Sequence, residues 1–135
     1  MKCELCNALN EAYRFICEDD LSFCVIAKCP LKPGHVMILP KRHVVKKEEL
    51  TEKESRSLFL MISKLEKVIK KAYNEDPIMH INTGLHNSQL HFHIHLLPSK
   101  GALRALVSKY ENIPERESIP DEESEKIKDY IKKLL

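Results

Sequence analysis

Gln89-Leu90-His91-Phe92-His93-Ile94-His95-Leu96-Leu97-Pro98 alternates imidazole with apolar side chains through its centre. Successive side chains of an extended strand point to opposite faces. The pattern therefore predicts a strand over Gln89–Leu97, with His91, His93 and His95 on one face. Phe92, Ile94 and Leu96 share the other face and are expected to pack on a helix. Same-face neighbours on such a strand lie about 7 Å apart. One histidine here would read as structural. Three in strict alternation do not, because each ring must satisfy its nitrogens and all titrate near neutrality. Two chemistries fit the row: adjacent metal ligands, or nucleophilic catalysis by one imidazole with the others as acid or charge stabiliser.

The rest of the chain supplies a frame for that strand. Tyr13–Cys17 and Ser22–Cys29 are rich in β-branched and aromatic residues, and acidic Glu18-Asp19-Asp20 between them predicts a hairpin. Pro30, Pro33 and Gly34 break the chain before a third strand, His35–Leu39, which Pro40 ends. Thr51 followed by Glu54 is a capping-box signature. Leu58, Met61, Ile62, Leu65, Val68, Ile69 and Ala72 then recur at helical spacing, predicting an amphipathic helix over about 51–73. Its lysines read as a solvated face. Pro77–Asn82 is a further short strand, and 83–88 a loop. Residues 3–9 suit one helical turn, 101–114 a short helix, and about 120–135 a last helix with acidic residues at its start and lysines at its end. Five strands in succession with helices at one side predict an α+β fold with an antiparallel sheet.

The chain has 135 residues, which suits one domain over 1–135, with a core over about 1–100 and a C-terminal extension. Hydrophobic residues make up 43% and charged residues 31%, enough apolar material for a core and too much for disorder. The net charge is +2 with both signs interspersed, so no broad nucleic-acid footprint is expected. No apolar run approaches the roughly 20 residues of a membrane span. The N-terminal MKCELCNALN shows no apolar signal region, and the expected location is the cytoplasm. Five cysteines is an odd number, and Cys3-x-x-Cys6 reads as a metal or redox site rather than part of a disulfide framework. The redox version wants a strand-to-helix setting within a βαβ pattern, which this sequence lacks.

His91-Phe-His93-Ile-His95-Leu-Leu resembles the motif His-φ-His-φ-His-φ-φ, with φ apolar, of the histidine-triad (HIT) superfamily. Lys32-Pro-Gly-His35-Val-Met-Ile-Leu-Pro-Lys-Arg-His43 resembles the upstream Pro-Gly-His…Pro-Lys-x-His block of that superfamily, and Asn82-x-Gly84 falls before the triad as it does there. The similarity runs from Cys3 to about Lys100. It implies a five-stranded antiparallel sheet continued across a homodimer. It also implies attack on the α-phosphate of a nucleotide derivative through a nucleotidyl-histidine intermediate. Carried over, His93 is the nucleophile, with its other nitrogen held as N–H by a backbone carbonyl. His95 and His35 line the phosphate pocket, and Asn82 and Ser88 match phosphate-side positions. Asn87 stands where a Gln is common.

The same resemblance gives Cys3-x-x-Cys6 a partner set. Some triad proteins with this N-terminal pair complete a structural zinc site with residues that match His43 and His91. Zinc held by Cys3, Cys6, His43 and His91 is the expected cofactor. Cys17, Cys24 and Cys29 read as buried small apolar residues. The sequence departs from the family at Ala27, where Asp or Asn usually meets the ribose. His86 reads as an exposed loop residue and His80 as structural. Three readings follow: a nucleotide hydrolase or transferase acting on dinucleoside polyphosphates or nucleoside phosphoramidates; a metal-dependent hydrolase using the triad as ligands; and a zinc-stabilised nucleotide-binding or adaptor module. Retained His93 argues against the last, and the cysteines against the second, since they offer a metal a better home.

Overall fold

A computed structural model describes residues 3–135. The chain forms two compact units, one ending at Lys100 and one spanning Gly101–Leu135. The first opens with a single helical turn, α1 (Glu4–Asn7), continued by a 3-10 turn at Ala8–Asn10. Its strands are β1 (Phe15–Glu18), β2 (Ser22–Ile26), β3 (Val36–Pro40), β4 (Asp76–His80) and β5 (Ile94–Ser99). They form one sheet in the order β1-β2-β3-β5-β4, with every neighbouring pair antiparallel. The five-stranded antiparallel sheet expected from the sequence is therefore present.

The hairpin turn is made by Asp19, whose Oδ1 accepts the amides of Leu21 (2.9 Å) and Ser22 (2.7 Å). This Asx geometry is why an acidic residue starts the turn. Helix α2 (Glu52–Tyr73) begins at the expected box: Thr51 Oγ1 accepts the Glu54 amide, and Glu54 Oε1 accepts the Thr51 amide, both at 3.1 Å. It ends on Asn74 in the left-handed region, φ 55°, which a short polar side chain tolerates. Leu58, Met61, Ile62, Leu65 and Ile69 of α2 pack on Cys24, Ile38, Phe92, Ile94 and Leu96 of the sheet side. Val68 and Ala72 depart from the expected stripe: they lie on its flank and line a shallow hollow with Ile16 and Ile26. The opposite sheet face carries Phe23, Val25, Met37 and Leu39 and is covered by Leu5 and Ala8 of the N-terminal turns.

Between β2 and β3 the chain reverses at Lys32-Pro33-Gly34-His35, with the His35 amide donating to the Lys32 carbonyl at 3.2 Å. Gly34 has φ +93°, and a Cβ there would lie 2.7 Å from the Tyr73 ring and 2.9 Å from Pro98. Both the backbone and the close approach demand glycine.

All five strands differ at their ends from expectation: β1 covers Phe15–Glu18 rather than Tyr13–Cys17, and β3 covers Val36–Pro40 rather than His35–Leu39. β2 stops at Ile26 rather than Cys29, and β4 covers Asp76–His80 rather than Pro77–Asn82. β5 begins at Ile94, not Gln89. The last difference has a local cause. Pro40 ends β3 with no amide to donate, and imidazoles take the nearby carbonyls: Nε2 of His91 donates to the Pro40 carbonyl at 2.9 Å, and Nδ1 of His93 donates to the His91 carbonyl at 2.8 Å. A ladder needs those carbonyls, so Gln89–His93 runs outside the sheet.

The second unit contains α3 (Leu103–Glu111), which ends on left-handed Asn112, and α4 (Asp121–Leu134). Helix α4 has Asp121, Glu122 and Glu123 in its first turn and Lys132 and Lys133 in its last, complementing the helix dipole. Among the described residues, no helix is long and apolar enough to cross a membrane.

Candidate active site and metal centre

His93 is buried, and its ring orientation is set by its own chain. The bond from Nδ1 to the His91 carbonyl fixes Nδ1 as the protonated nitrogen, since a carbonyl can only accept. In the neutral ring Nε2 then carries the lone pair, and no described protein group hydrogen-bonds it. His93 also forms part of the wall of a cavity of about 610 Å3, between the segment 45–48 and the segment 81–87.

Three further imidazoles gather on the β3–β5–β4 part of the sheet. The ring centroids of His93 and His95 are 4.8 Å apart and perpendicular. His95 is stacked on His80 at 4.5 Å with an 11° interplanar angle, because β4 and β5 pair His80 with His95. The Leu31 amide donates to Nδ1 of His35 (3.1 Å), so Nε2 of His35 is protonated and donates to Nδ1 of His95 (2.9 Å). That chain leaves His95 with its proton on Nε2. Burial first, then the neighbouring charges of His93, His80 and His35, pull His95 down to about 4, so it is neutral at pH 7. Burial also lowers His35 and His80, with smaller contributions from His80 and His93 respectively.

His80, read from sequence as structural, thus belongs to the imidazole cluster. The signal that could have found it is register: once β4 and β5 are paired, a histidine near the end of β4 falls opposite the triad. Asn82 and Asn87 line the cavity beside His93. Ser88 is exposed and does not line it, and His86 is exposed in the 3-10 turn Gly84–His86. The Asn87 Oδ1 accepts the Gln89 amide at 3.3 Å, which holds the loop.

The second constellation joins the N-terminus to the segment before β5. Cys3, Cys6, His43 and His91 place one ligand atom each within 4.8 Å of one another. His91 Nδ1 is 3.5 Å from Cys3 Sγ and 3.3 Å from Cys6 Sγ, and His43 Nδ1 is 3.3 Å from Cys6 Sγ. Tetrahedral zinc with ordinary Zn–S and Zn–N lengths sets its sulfur and nitrogen ligands about 3.5 Å apart, so the donor set fits a metal. The Nε2 proton of His91 is donated to the Pro40 carbonyl, which fixes the ring and leaves the Nδ1 lone pair for a metal. Burial, and then the Cys3 thiol beside it, push the Cys6 thiol up; a bound cation reverses that effect.

With this geometry in place, comparison with known proteins decides the family. The HIT domain family matches residues 9–102. The chain belongs to the HIT family.

Among curated relatives, this HIT chain is 36% identical over 84 residues to a bis(5'-adenosyl)-triphosphatase of Dictyostelium discoideum, covering 60% of this chain and 56% of that protein. It is 25% identical over 117 residues to an adenosine 5'-monophosphoramidase of Schizosaccharomyces pombe, covering 84% of this chain and 87% of that one. The chain spans about half the length of the first curated relatives it matches. A crystal structure of a HIT family member from Bacillus subtilis superposes with a TM-score of 0.72 at 19% identity, over 100% of this chain and 98% of that one. That likeness shows the fold. The Cys-x-x-Cys pair lies outside the family match; the four donors stand close enough together to hold a metal ion.

Proposed function

We propose that this HIT chain hydrolyses, or transfers the nucleotide of, dinucleoside polyphosphates or nucleoside phosphoramidates through a nucleotidyl-histidine intermediate on His93. One observation carries the reading: His93 Nδ1 is locked as N–H on the His91 carbonyl at 2.8 Å, while its Nε2 has no protein partner beside a cavity. An imidazole so held attacks with one defined lone pair. Nε2 forms a bond to the α-phosphorus, and the bond to the leaving group breaks with its electron pair on the departing atom. The resulting imidazolium keeps its Nδ1 proton on the His91 carbonyl. Water then attacks phosphorus, the N–P bond breaks with its pair returning to Nε2, and water's surplus proton goes to solvent.

The surrounding groups suit charge stabilisation without reorganisation. Neutral His95 offers an Nε2–H donor, oriented by His35. Asn82 and Asn87 offer amides at the cavity wall. Ser88, the family's phosphate-side position, is exposed and outside the cavity lining. Zinc is the metal that two thiols and two imidazoles favour. Held by Cys3, Cys6, His43 and His91, it supplies a structural crosslink that leaves His93 free. Edge strand β4, with Met79 exposed at its side, supports a homodimer that continues the sheet. Of the remaining cysteines only Cys24 is buried as expected, Cys17 being half-buried and Cys29 exposed, and their free thiols suit a reducing cytoplasm.

The test is covalent trapping. The chain is quenched in acid-free denaturant during turnover of diadenosine triphosphate and its peptides are weighed. An adenylyl adduct on the peptide containing His93 is expected. An adduct on another residue, or turnover with none at any quench time, sinks the reading.

A further inference from the structure

The β4–β5 register puts His80 directly across from His95, and His95 has Met37 as its partner on β3. His95 is thus flanked by a thioether on one side and by a second imidazole on the other. Directly opposed residues of an antiparallel pair have Cβ atoms about 5 Å apart, close enough for flat side chains to meet face to face. The His80 and His95 rings do so, with centroids 4.5 Å apart and an 11° interplanar angle. The other two imidazoles around His95 meet it differently: His35 is tilted by 49° and His93 is near perpendicular at 77°.

These contacts restrain His95 in different directions. The bond from His35 Nε2 acts along the Nδ1 lone pair of His95, at 2.9 Å. It fixes one edge of the ring and leaves the ring able to tilt about that bond. The χ2 torsion of histidine has only a broad preference of its own, so a second restraint has to come from a neighbour. A flat ring laid on one face resists the tilt. Among the described residues no hydrogen bond engages either nitrogen of His80, so its ring meets the cluster through its face. An aliphatic side chain at this register position would fill the space without a plane to match. Imidazole supplies the plane and still lets its polar tip face water at a half-buried site on the last strand of the sheet. Burial keeps both rings below the ordinary histidine value, so two neutral rings stack at pH 7 without charge repulsion.

We propose that His80 is a positioning residue for His95: it backs one face of the His95 ring and, together with the His35 bond, keeps the Nε2–H of His95 aimed where charge develops on the attacked phosphate. The proposal rests on His93 as nucleophile and His95 as donor. His80 touches neither substrate nor phosphorus and acts only through His95. A donor that is already oriented stabilises developing charge without a reorganisation cost, and a ring that rocks forfeits part of that stabilisation. The charge grows on the phosphate oxygens as Nε2 of His93 closes on phosphorus, so the loss falls on kcat more than on KM.

Three substitutions in the full chain separate the plane of the ring from its bulk. His80→Ala is expected to lower kcat for diadenosine triphosphate about tenfold, less than removal of a whole oxyanion donor, with KM changed about twofold or less. His80→Phe keeps a flat ring and is expected to restore most of the rate. His80→Leu has similar bulk without the plane and is expected to stay low. In a His95→Ala background the Phe and Leu variants should turn over equally, because no ring is left to position. Equal kcat for Phe and Leu with His95 present, or a Phe–Leu difference that persists without it, overturns the proposal, and neither comparison needs a folded alanine variant at position 80. Nitrogen-15 spectra give a readout apart from turnover. In His80→Leu, His95 should keep its Nε2–H tautomer, which His35 dictates, while its ring motion increases; in His80→Phe the motion should match the wild type. Unchanged ring motion in His80→Leu also overturns the proposal. Failure of the nucleophile reading shows separately, as turnover with no adduct on His93, and the ring motion of His95 then decides by itself whether His80 positions it.

Discussion

His35 donates through Nε2 to Nδ1 of His95 at 2.9 Å, and the Leu31 amide, by occupying the other His35 nitrogen, dictates the direction of that bond. A turn amide thereby selects the tautomer of an imidazole on a different strand. In the His35→Ala variant His95 loses that instruction. Nitrogen chemical shifts should show His95 as a pure Nε2–H tautomer in the wild type and a mixture in the variant. Turnover should fall about tenfold or more with KM changed less, as expected when a preorganised donor becomes mobile. A His95 tautomer unaltered in the variant would contradict this assignment.

His93→Ala removes the only imidazole in the cluster with a free Nε2 at the cavity wall. Turnover should drop by about 10³-fold or more. Nucleotide affinity should largely survive, because the cavity walls and Asn82 remain. Parallel loss of binding and turnover would show that His93 organises the pocket rather than attacks.

The pH dependence of stability has a definite sign. His95 is held down at about 4, and His35 and His80 are also lowered by burial. Below the ordinary histidine value of about 6.5 the unfolded chain takes up protons that the folded chain refuses. Their contribution is complete above about pH 6.5 and is lost as pH falls toward 4. For His95 the difference is at most about 3 kcal/mol, enough to lower Tm by several degrees. The slope of Tm between pH 7 and pH 4.5 should flatten in His95→Asn. Both proteins are best compared in a Cys3→Ser, Cys6→Ser background, where metal release does not contribute to the slope and buried His91 contributes equally to both. An equal slope in the two proteins would exclude His95 as the source.

Gly34→Ala combines two penalties: a left-handed φ of +93° and a Cβ 2.7 Å from the Tyr73 ring. The expected loss is about 2 kcal/mol or more, read by denaturant unfolding. Against the Tyr73→Ala single variant as reference, adding Gly34→Ala should cost less, because the ring clash is gone while the Pro98 contact at 2.9 Å and the backbone part remain. No cost of Gly34→Ala in the Tyr73→Ala background would mean that neither φ strain nor the Pro98 contact contributes here.

Much of this was legible because local chemistry and fold agree. The capping box at Thr51 and Glu54, the Pro33-Gly34 turn and the alternation of Phe92, Ile94 and Leu96 each encode their own geometry. Cys3, Cys6, His43 and His91 converge as the family resemblance implied. What the sequence hid depends on long-range partners. The late start of β5 follows from imidazoles claiming the Pro40 and His91 carbonyls. The place of His80 depends on the β4–β5 register, and the lysine-lined cavity on how the segment after His43 folds back toward residues 81–87. None of these has a local pattern.

The metal prediction follows from ligand exclusivity. His91 aims Nδ1 at both thiols, 3.5 Å from Cys3 Sγ and 3.3 Å from Cys6 Sγ, with its other nitrogen committed to Pro40. A lone pair bound to zinc cannot attack phosphorus, so on the proposed reading zinc on His91 would leave His93 and His95 for the chemistry. Two thiolates are also a softer home for zinc than further imidazoles. One zinc per chain is therefore expected by elemental analysis, with little in Cys3→Ser, Cys6→Ser. Metal binding is linked to folding, so chelation should lower Tm markedly. Activity should decline less, and only through loosening of Gln89–His93, whose backbone has no strand partner. Pre-steady-state adduct formation on His93 should still occur in the metal-free protein, more slowly. If the double serine variant keeps its zinc, or if chelation abolishes the adduct while Tm stays constant, the metal belongs to the chemistry and the division of the triad is wrong.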